Sequence, residues 1–307
     1  MDLNLIPTMS LHSSIQRHFV RGKLGRLELL SCPATKKSTF NEEAPILFIH
    51  GGFHSASCFR LFLPYISAKF NIPCYALSLT AHGQSYRPHL LKTLSLTPHD
   101  LSGDVAAAIT HISSNHSVPP IICGHSAGGA LSQYFLQDSR FLSMKIRGLI
   151  TIASIPASGA FPVFQNWFEF DKGLIWRSIK MGGHPRAPIA TPELMCGAFF
   201  SPKFIESPTE VDEVWNELET IESLAWPAML QLRFADESSI RSRLSSKVSV
   251  IGATLDRIIT PEVVRKAASA YGVSPVLVQE NGHDLMLDLN WKASADEIGK
   301  AAKEWTC

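Results

Sequence analysis

An apolar strand signal at Pro120–Cys123 runs directly into Gly124-His125-Ser126-Ala127-Gly128-Gly129, and a helical pattern follows from about Ala127 to Leu136. Few folds can hold such a segment. The chain must leave a strand and enter a helix with no connecting loop, which sets the serine hydroxyl on a strained, exposed corner. Side chains two places before and after that serine would collide across the turn, and glycines stand at both, 124 and 128. The helix start beneath the corner offers backbone N–H groups and the positive end of a dipole to a developing oxyanion.

The rest of the chain supplies a frame for that corner. Arg17–Arg21 and Arg26–Ser31 read as two short strands joined by Gly22-Lys23-Leu24-Gly25, a hairpin signal, and 33–45 as an exposed polar loop containing Lys36-Lys37. Ile46–His50 is a continuous apolar run, as expected of a strand buried on both faces. Further strands are predicted at Cys74–Leu79, Lys145–Ala153, Val248–Gly252 and Val276–Gln279. Helices are predicted over Cys58–Phe70, Pro98–Ser113 (capped by Thr97), Pro261–Tyr271 and Ala293–Trp305. This alternation implies an α/β fold, a mostly parallel twisted sheet with helices on both faces.

The alternation breaks between residues 159 and 246, which carry prolines, helix-like stretches at Pro208–Ala225 and Pro227–Arg241, and many aromatic residues. The expected organisation is therefore a core of 1–158 and 247–307, with 159–246 as a helical insertion. Its aromatics can form a core of their own, or its apolar underside can line a substrate pocket as a lid. The insertion leaves the sheet where active-site loops leave it, at a strand C-terminal end, and this favours the lid. Phe161, Phe164 and Trp167 are then the expected substrate contacts.

Other residues complete the chemistry. His50-Gly51-Gly52-Phe53-His54 follows the first buried strand, and its glycines allow the backbone close to a substrate. The expected oxyanion donors are the N–H groups of Ala127 and Gly52, with Phe53 as the alternative if the loop turns one residue later. Asp256 follows Val248–Gly252 and lies on the same rim as the serine; Asp236, Glu262 and Glu280 are weaker rivals by position. His283 follows the last strand and can exchange a proton near neutral pH. His54 and His125 are expected beside the pocket, and His82 is expected to fix a loop.

The order Ser126, Asp256, His283 is the order of the α/β-hydrolase superfamily, which the chain resembles from about Arg17 to Trp305. The resemblance rests on His50-Gly51-Gly52, on Ser78-Leu79-Thr80-Ala81-His82-Gly83-Gln84-Ser85, on Gly124–Gly129, and on Asp256 and His283. The second stretch is similar to D-x-x-G-H-G-x-S, with Ser78 in place of aspartate and Ala81 in place of glycine. Within the superfamily the chain looks like the lidded group of esterases, lactonases, methylesterases and hydroxynitrile lyases. The resemblance implies hydrolysis of an apolar ester or lactone by a Ser-His-Asp triad. The alternatives are C–C cleavage, lyase or cyclase chemistry on a natural-product intermediate, a thioesterase, and an inactive ligand receptor.

Composition narrows the partners. Lysine and arginine total 28 against 27 aspartate and glutamate, a net charge of +1, which recruits neither nucleic acid nor an anionic membrane. No apolar run reaches the roughly 18–20 residues of a membrane span, and Met1–Val20 is a poor leader peptide. The six cysteines are scattered without CxxC or zinc-ligand spacing, so neither a metal nor a cofactor is implied. A cytoplasmic protein with an apolar small-molecule substrate is the expectation; no feature specifies an oligomeric state.

Overall fold

A computed structural model describes residues 11–35 and 43–306, without the side chains of 227 and 306; the expected Lys36-Lys37 loop and Cys307 lie outside the described residues. Among the described residues eight strands form one sheet: β1 (Gln16–Arg21), β2 (Arg26–Cys32), β3 (Ile46–Ile49), β4 (Cys74–Leu77), β5 (Ile121–His125), β6 (Gly148–Ile152), β7 (Val248–Ala253) and β8 (Pro275–Val278). Their spatial order is β1-β2-β4-β3-β5-β6-β7-β8. β2 pairs antiparallel with both of its neighbours, and every pairing from β4 through β8 is parallel.

Burial explains the composition of each strand. β3, β5 and β6 are buried at every residue, so both sides of each must be apolar. The edge strands β1 and β8 expose part of their length and tolerate polar residues and Pro275. Phe48, in the middle of β3, is fully buried against Phe59 and Phe62, with ring centroids 4.9 and 6.1 Å away.

Helices cover both faces. α1 (Phe62–Phe70) packs with α12 (Trp291–Thr306). α3 (Pro98–Asn115) packs with α4 (Ser126–Gln137), and α10 (Glu237–Arg243) lies against both α4 and α11 (Pro261–Tyr271). α3 starts with a capping box in which Thr97 and Asp100 bond each other's backbone N–H, and Pro98 fills the first turn where its missing N–H costs nothing. α1 is shorter than the sequence suggests, because its beginning is a separate 3-10 turn, Ala56–Phe59. A short helix, α2 (Leu90–Leu94), was not legible in the sequence pattern; the His89 side chain caps it.

Between β6 and β7 the chain forms α5 (Phe161–Phe170), α6 (Leu174–Lys180), α7 (Pro192–Phe199), α8 (Pro208–Glu217), α9 (Ala225–Met229) and then α10. The two long helix-like stretches expected here are broken. α8 ends at Glu217, because the next residues bond outward: Glu219 N–H donates to Phe53 O and Leu224 N–H to Leu94 O. α9 ends at Met229 for the same reason, since Leu230 O accepts from Ala160 N–H and Phe234 N–H donates to Ala157 O. Backbone groups committed to other segments are not available to an i→i−4 ladder. No helix of the described residues is long and apolar enough to cross a membrane.

Truncating Phe48 to alanine leaves a cavity under the strand that feeds the His50–His54 loop. Phe48→Ala should lower unfolding stability by about 3–5 kcal/mol in a urea titration; a loss below about 1 kcal/mol would contradict the packing described.

Candidate active site

The turn at the end of β5 is as tight as its glycines allow. Ser126 has φ 50°, the left-handed region, as expected of a side chain forced onto a corner. A Cβ on Gly124 would lie 2.5 Å from the Gly129 Cα, and one on Gly128 would lie 2.2 Å from the His50 carbonyl oxygen. A side chain at 128 would therefore push the turn away from the loop after β3. That loop approaches from the other side: a Cβ on Gly51 would stand 2.9 Å from the Ser126 Cβ.

Three residues from three strand ends converge on the corner. His283 Nε2 lies 3.0 Å from Ser126 Oγ, and His283 Nδ1 lies 2.8 Å from Asp256 Oδ2. The second oxygen of Asp256 accepts the N–H groups of Ile258 and Ile259 at 2.8 and 2.9 Å, which fixes the carboxylate. Nδ1 thus carries the proton and Nε2 is left to accept from the serine. Burial disfavours the imidazolium of His283, but the charge and hydrogen bond of Asp256, with Asp284 behind, outweigh it and raise the pKa. The rivals lie elsewhere: Asp236 caps α10, and Glu262 pairs with Lys266 on the exposed face of α11.

The loop after β3 is held by its own histidines. His50 Nδ1 donates to the Gly51 carbonyl at 2.8 Å, and its Nε2 accepts from Leu79 N–H at 3.1 Å, so His50 is neutral. Burial, then the neighbouring His82, pushes its pKa well below 6.5. His54 Nδ1 donates to the Gly52 carbonyl at 2.7 Å, while its Nε2 donates to Asp284 Oδ2 at 2.9 Å. With a proton on each nitrogen His54 is a cation. Burial opposes that charge, and Asp284, itself fully buried, overcomes the opposition. The peptide bonds are trans, so with the Gly51 carbonyl turned to His50 the Gly52 N–H faces the opposite way. Among the described residues nothing accepts it. Ala127, the second residue of α4, likewise has an N–H without an intrahelical acceptor.

Phe53 does not supply the alternative donor that the sequence allowed. Its N–H donates to Glu222 Oε2 at 2.8 Å, so the group is already used. Glu222 comes from the helical insertion and is buried, at 4% exposure. Burial would raise its pKa, but His82 and several N–H donors reverse the effect and hold it at about 2. His82 donates from Nε2 to Glu222 at 3.2 Å and from Nδ1 to the Thr80 carbonyl at 3.0 Å, and so is also a cation. Burial counts against the charge of His82, yet Glu222 lifts its pKa to about 9.

A cavity of about 310 Å³ opens over Ser126, Gly52 and Ala127. Phe164 and Trp167 line it, as do Ile155, Val163, Leu174, Phe199 and Trp226. Phe161 does not. It is 70% exposed, because on α5 the wall-forming residues are Val163, Phe164 and Trp167 with Ala160 before them, and Phe161 falls off that stripe. The insertion's other aromatics divide: Phe200 and Phe204 stack at 3.8 Å and join the main hydrophobic core rather than forming one of their own, while Phe168 and Trp176 are exposed. His125 borders the cavity and donates from Nε2 to the His283 carbonyl at 3.1 Å; burial, then His283, lowers its pKa to about 3. His125, His283 and Asp284 offer metal-ligand atoms within 4.8 Å of one another. His283 is committed to Asp256 and Ser126, which leaves His125 Nδ1 and Asp284 Oδ1 without partners. Two donors fall short of the three that a catalytic zinc ordinarily takes from protein.

The departures at Ser78 and Ala81 also find an explanation. Ser78 Oγ donates to Glu28 Oε2 at 2.8 Å, and the same oxygen accepts Gln84 N–H at 2.9 Å, so β2 supplies the carboxylate that residue 78 lacks. Ala81 keeps the left-handed φ, at 72°, that favours glycine.

Asp284 and Glu222 were not assigned from the sequence. Asp284 directly follows His283, a visible signal; Glu222 has no local motif.

The model described as "Alpha/beta hydrolase family" matches residues 46–297. Human protein phosphatase methylesterase 1 is 28% identical over 146 residues, which are 44% of this chain and 36% of that protein, so the match spans about a third of the relative's length. An esterase from Thermogutta terrifontis superposes with a TM-score of 0.66 at 17% identity, covering 94% of this chain and 97% of the other. The enol-lactonase from Burkholderia xenovorans LB400 gives a TM-score of 0.66 at 17% identity, covering 94% and 99%. These two likenesses are likenesses of fold.

The His82–Glu222 pair sets a pH window. His82, raised from 6.5 to about 9, contributes stability fully below pH 6.5 and loses it as pH rises through 9. Glu222, lowered from 4.5 to about 2, contributes above pH 4.5 and loses it as pH falls through 2. Thermal melts should show the native protein losing stability between about pH 6.5 and 9, with a flatter limb in His82→Gln. Equal slopes in the two proteins would exclude a charged His82.

Proposed function

The chain belongs to the alpha/beta hydrolase family, and from that premise we propose that it is a serine carboxylic ester hydrolase acting on a small apolar ester or lactone. One observation carries the reading: Ser126 Oγ, within 3.0 Å of an Asp256-anchored His283, opens into an apolar cavity beside two unengaged backbone N–H groups.

Ser126 Oγ attacks the carbonyl carbon while His283 Nε2 takes its proton. Asp256 holds Nδ1–H and stabilises the imidazolium. The carbonyl oxygen becomes an oxyanion and accepts from Ala127 and Gly52, each donor being worth about 3 kcal/mol. Collapse expels the alcohol, which takes the proton from His283. Water then attacks the acyl-enzyme with His283 again as base, and the acid leaves as Ser126 regains its proton. Residues 159–246 act as a lid whose underside forms the cavity wall.

Cavity chemistry supports the substrate class. Among the described residues no lysine or arginine lines it, while Glu222 and Asp284 do. Each of these carboxylates is already paired with a histidine cation, Asp284 with His54 and Glu222 with His82, so an acyl group bearing a carboxylate would find no unpaired cation to receive it. The volume of about 310 Å³ lies at the small end of small-molecule sites, which start at roughly 300 Å³.

A fluorophosphonate probe should label the native chain and neither Ser126→Ala nor His283→Ala. Ser126→Ala should lower kcat on a 4-nitrophenyl ester by at least about a thousandfold. The raised pKa of His283 places the acid limb of kcat/KM above pH 6.5, with activity lost as pH falls. A neutral butyrate ester should exceed its succinate counterpart about tenfold or more in kcat/KM, since about 1.4 kcal/mol of uncompensated carboxylate desolvation suffices. A well-folded native protein that takes no label overturns the reading.

A further inference from the structure

Phe53 is gripped on both sides by the stretch of the insertion that precedes α9. Its N–H donates to Glu222 Oε2 at 2.8 Å, and its carbonyl accepts the Glu219 N–H at 2.8 Å. It needs holding, because its φ of 65° is one that an aromatic side chain rarely adopts. The same stretch is tied to neighbouring loops. Glu219 accepts from Gly83 N–H at 2.7 Å and from Arg87, and Ser223 Oγ donates to the Leu96 carbonyl at 2.6 Å.

Glu222 is fully occupied by this task. Oε2 receives Phe53 and His82; Oε1 receives Ser223 N–H at 3.0 Å and Trp226 Nε1 at 3.2 Å. No lone pair is left over for a substrate proton. The carboxylate stands 3.6 Å from where a Cβ on Gly52 would be, next to the expected oxyanion donor. A bare negative charge there would oppose an oxyanion, and the His82 imidazolium offsets it.

We propose that Glu222 is a positioning residue for the oxyanion hole: by holding Phe53 N–H on the insertion's side it keeps the Gly52 N–H turned toward Ser126, so the hole is assembled only while the insertion is seated. The proposal rests on the reading of Ser126 as an acylated nucleophile. Removing the carboxylate releases the torsions at Gly52 and Phe53 that this grip fixes; the Gly51–Gly52 peptide, linked to them through the Gly52 Cα, shifts with them, and its N–H, one of the two donors, is lost.

The test uses the full-length chain, a 4-nitrophenyl ester, a trifluoromethyl ketone that adds to the serine as an oxyanion, and the matching secondary alcohol, which does not. Glu222→Ala should lower kcat about 100-fold with KM within twofold of native. Affinity for the ketone should fall in step with kcat/KM, and affinity for the alcohol should stay unchanged. Glu222→Gln, which keeps an acceptor for Phe53 N–H, should recover part of the loss. A kcat within twofold of native in Glu222→Ala, or equal weakening of ketone and alcohol, would overturn the positioning role, since a merely structural part would affect both ligands alike. If Glu222→Ala does not fold, Glu222→Asp retains the charge but draws it back by one methylene, and the same ketone-to-alcohol comparison decides. A native protein that neither hydrolyses the ester nor takes up the ketone overturns the hydrolase reading itself, a result distinct from a working native enzyme with an equally active Glu222→Ala.

Discussion

The register of β3 against β5, with Ile49 opposite Gly124, is the constraint on which the site depends. Two adjacent parallel strands end at the same height, so the loop leaving one and the helix leaving the other must share a space. Only glycine at 51 and 128 lets them do so, because a Cβ at either position would meet backbone or side-chain atoms within 3 Å. Everything catalytic in the proposed mechanism is set by that contact. The serine corner and one oxyanion donor come from the β5 side, and the other donor comes from the β3 side. β7 and the segment after β8 then only have to deliver Asp256 and His283 to the same edge.

Four buried histidines around this contact carry different charges, and local partners decide each one. His50 and His125 each donate one proton to a carbonyl and remain neutral. His54 and His82 each donate to a carbonyl and to a carboxylate, which makes them cations paired with Asp284 and Glu222. Buried ions of this kind cost desolvation and are stable only when paired and hydrogen-bonded. Here the pairs fix peptide orientation, which apolar contacts alone specify poorly. Asp284 has a second effect, since its charge also supports the imidazolium of His283.

Much of this was legible in the sequence because function in such a sheet sits at strand ends. Ser126, Asp256 and His283 each follow a strand that its apolar run reveals, and parallel topology brings those ends together. The helix boundaries of the insertion were not legible, because residues 218–224 and 230–235 bond to partners distant in the chain, and no local pattern reports that. Phe161 illustrates a different failure: aromatic content marks a wall-forming helix without saying which residues share the stripe. Glu222 acts on a residue 169 positions away and carries no motif of its own. Where the pattern has aspartate this chain has Ser78, and no sign in the sequence showed that Glu28 brings a carboxylate to that place from β2.

The ties at residues 219–223 bear on how such enzymes can be re-engineered. The insertion looks like a cassette, entering after β6 and leaving before β7, and swapping it is an obvious route to a new substrate range. A transplanted segment without acceptors equivalent to Glu219 and Glu222 would bring a new wall but leave Phe53, His82 and Arg87 of the recipient unmatched. Specificity and turnover in this scaffold are therefore not separable modules: the junction residues must travel with the graft, or the recipient's loop must be redesigned with it.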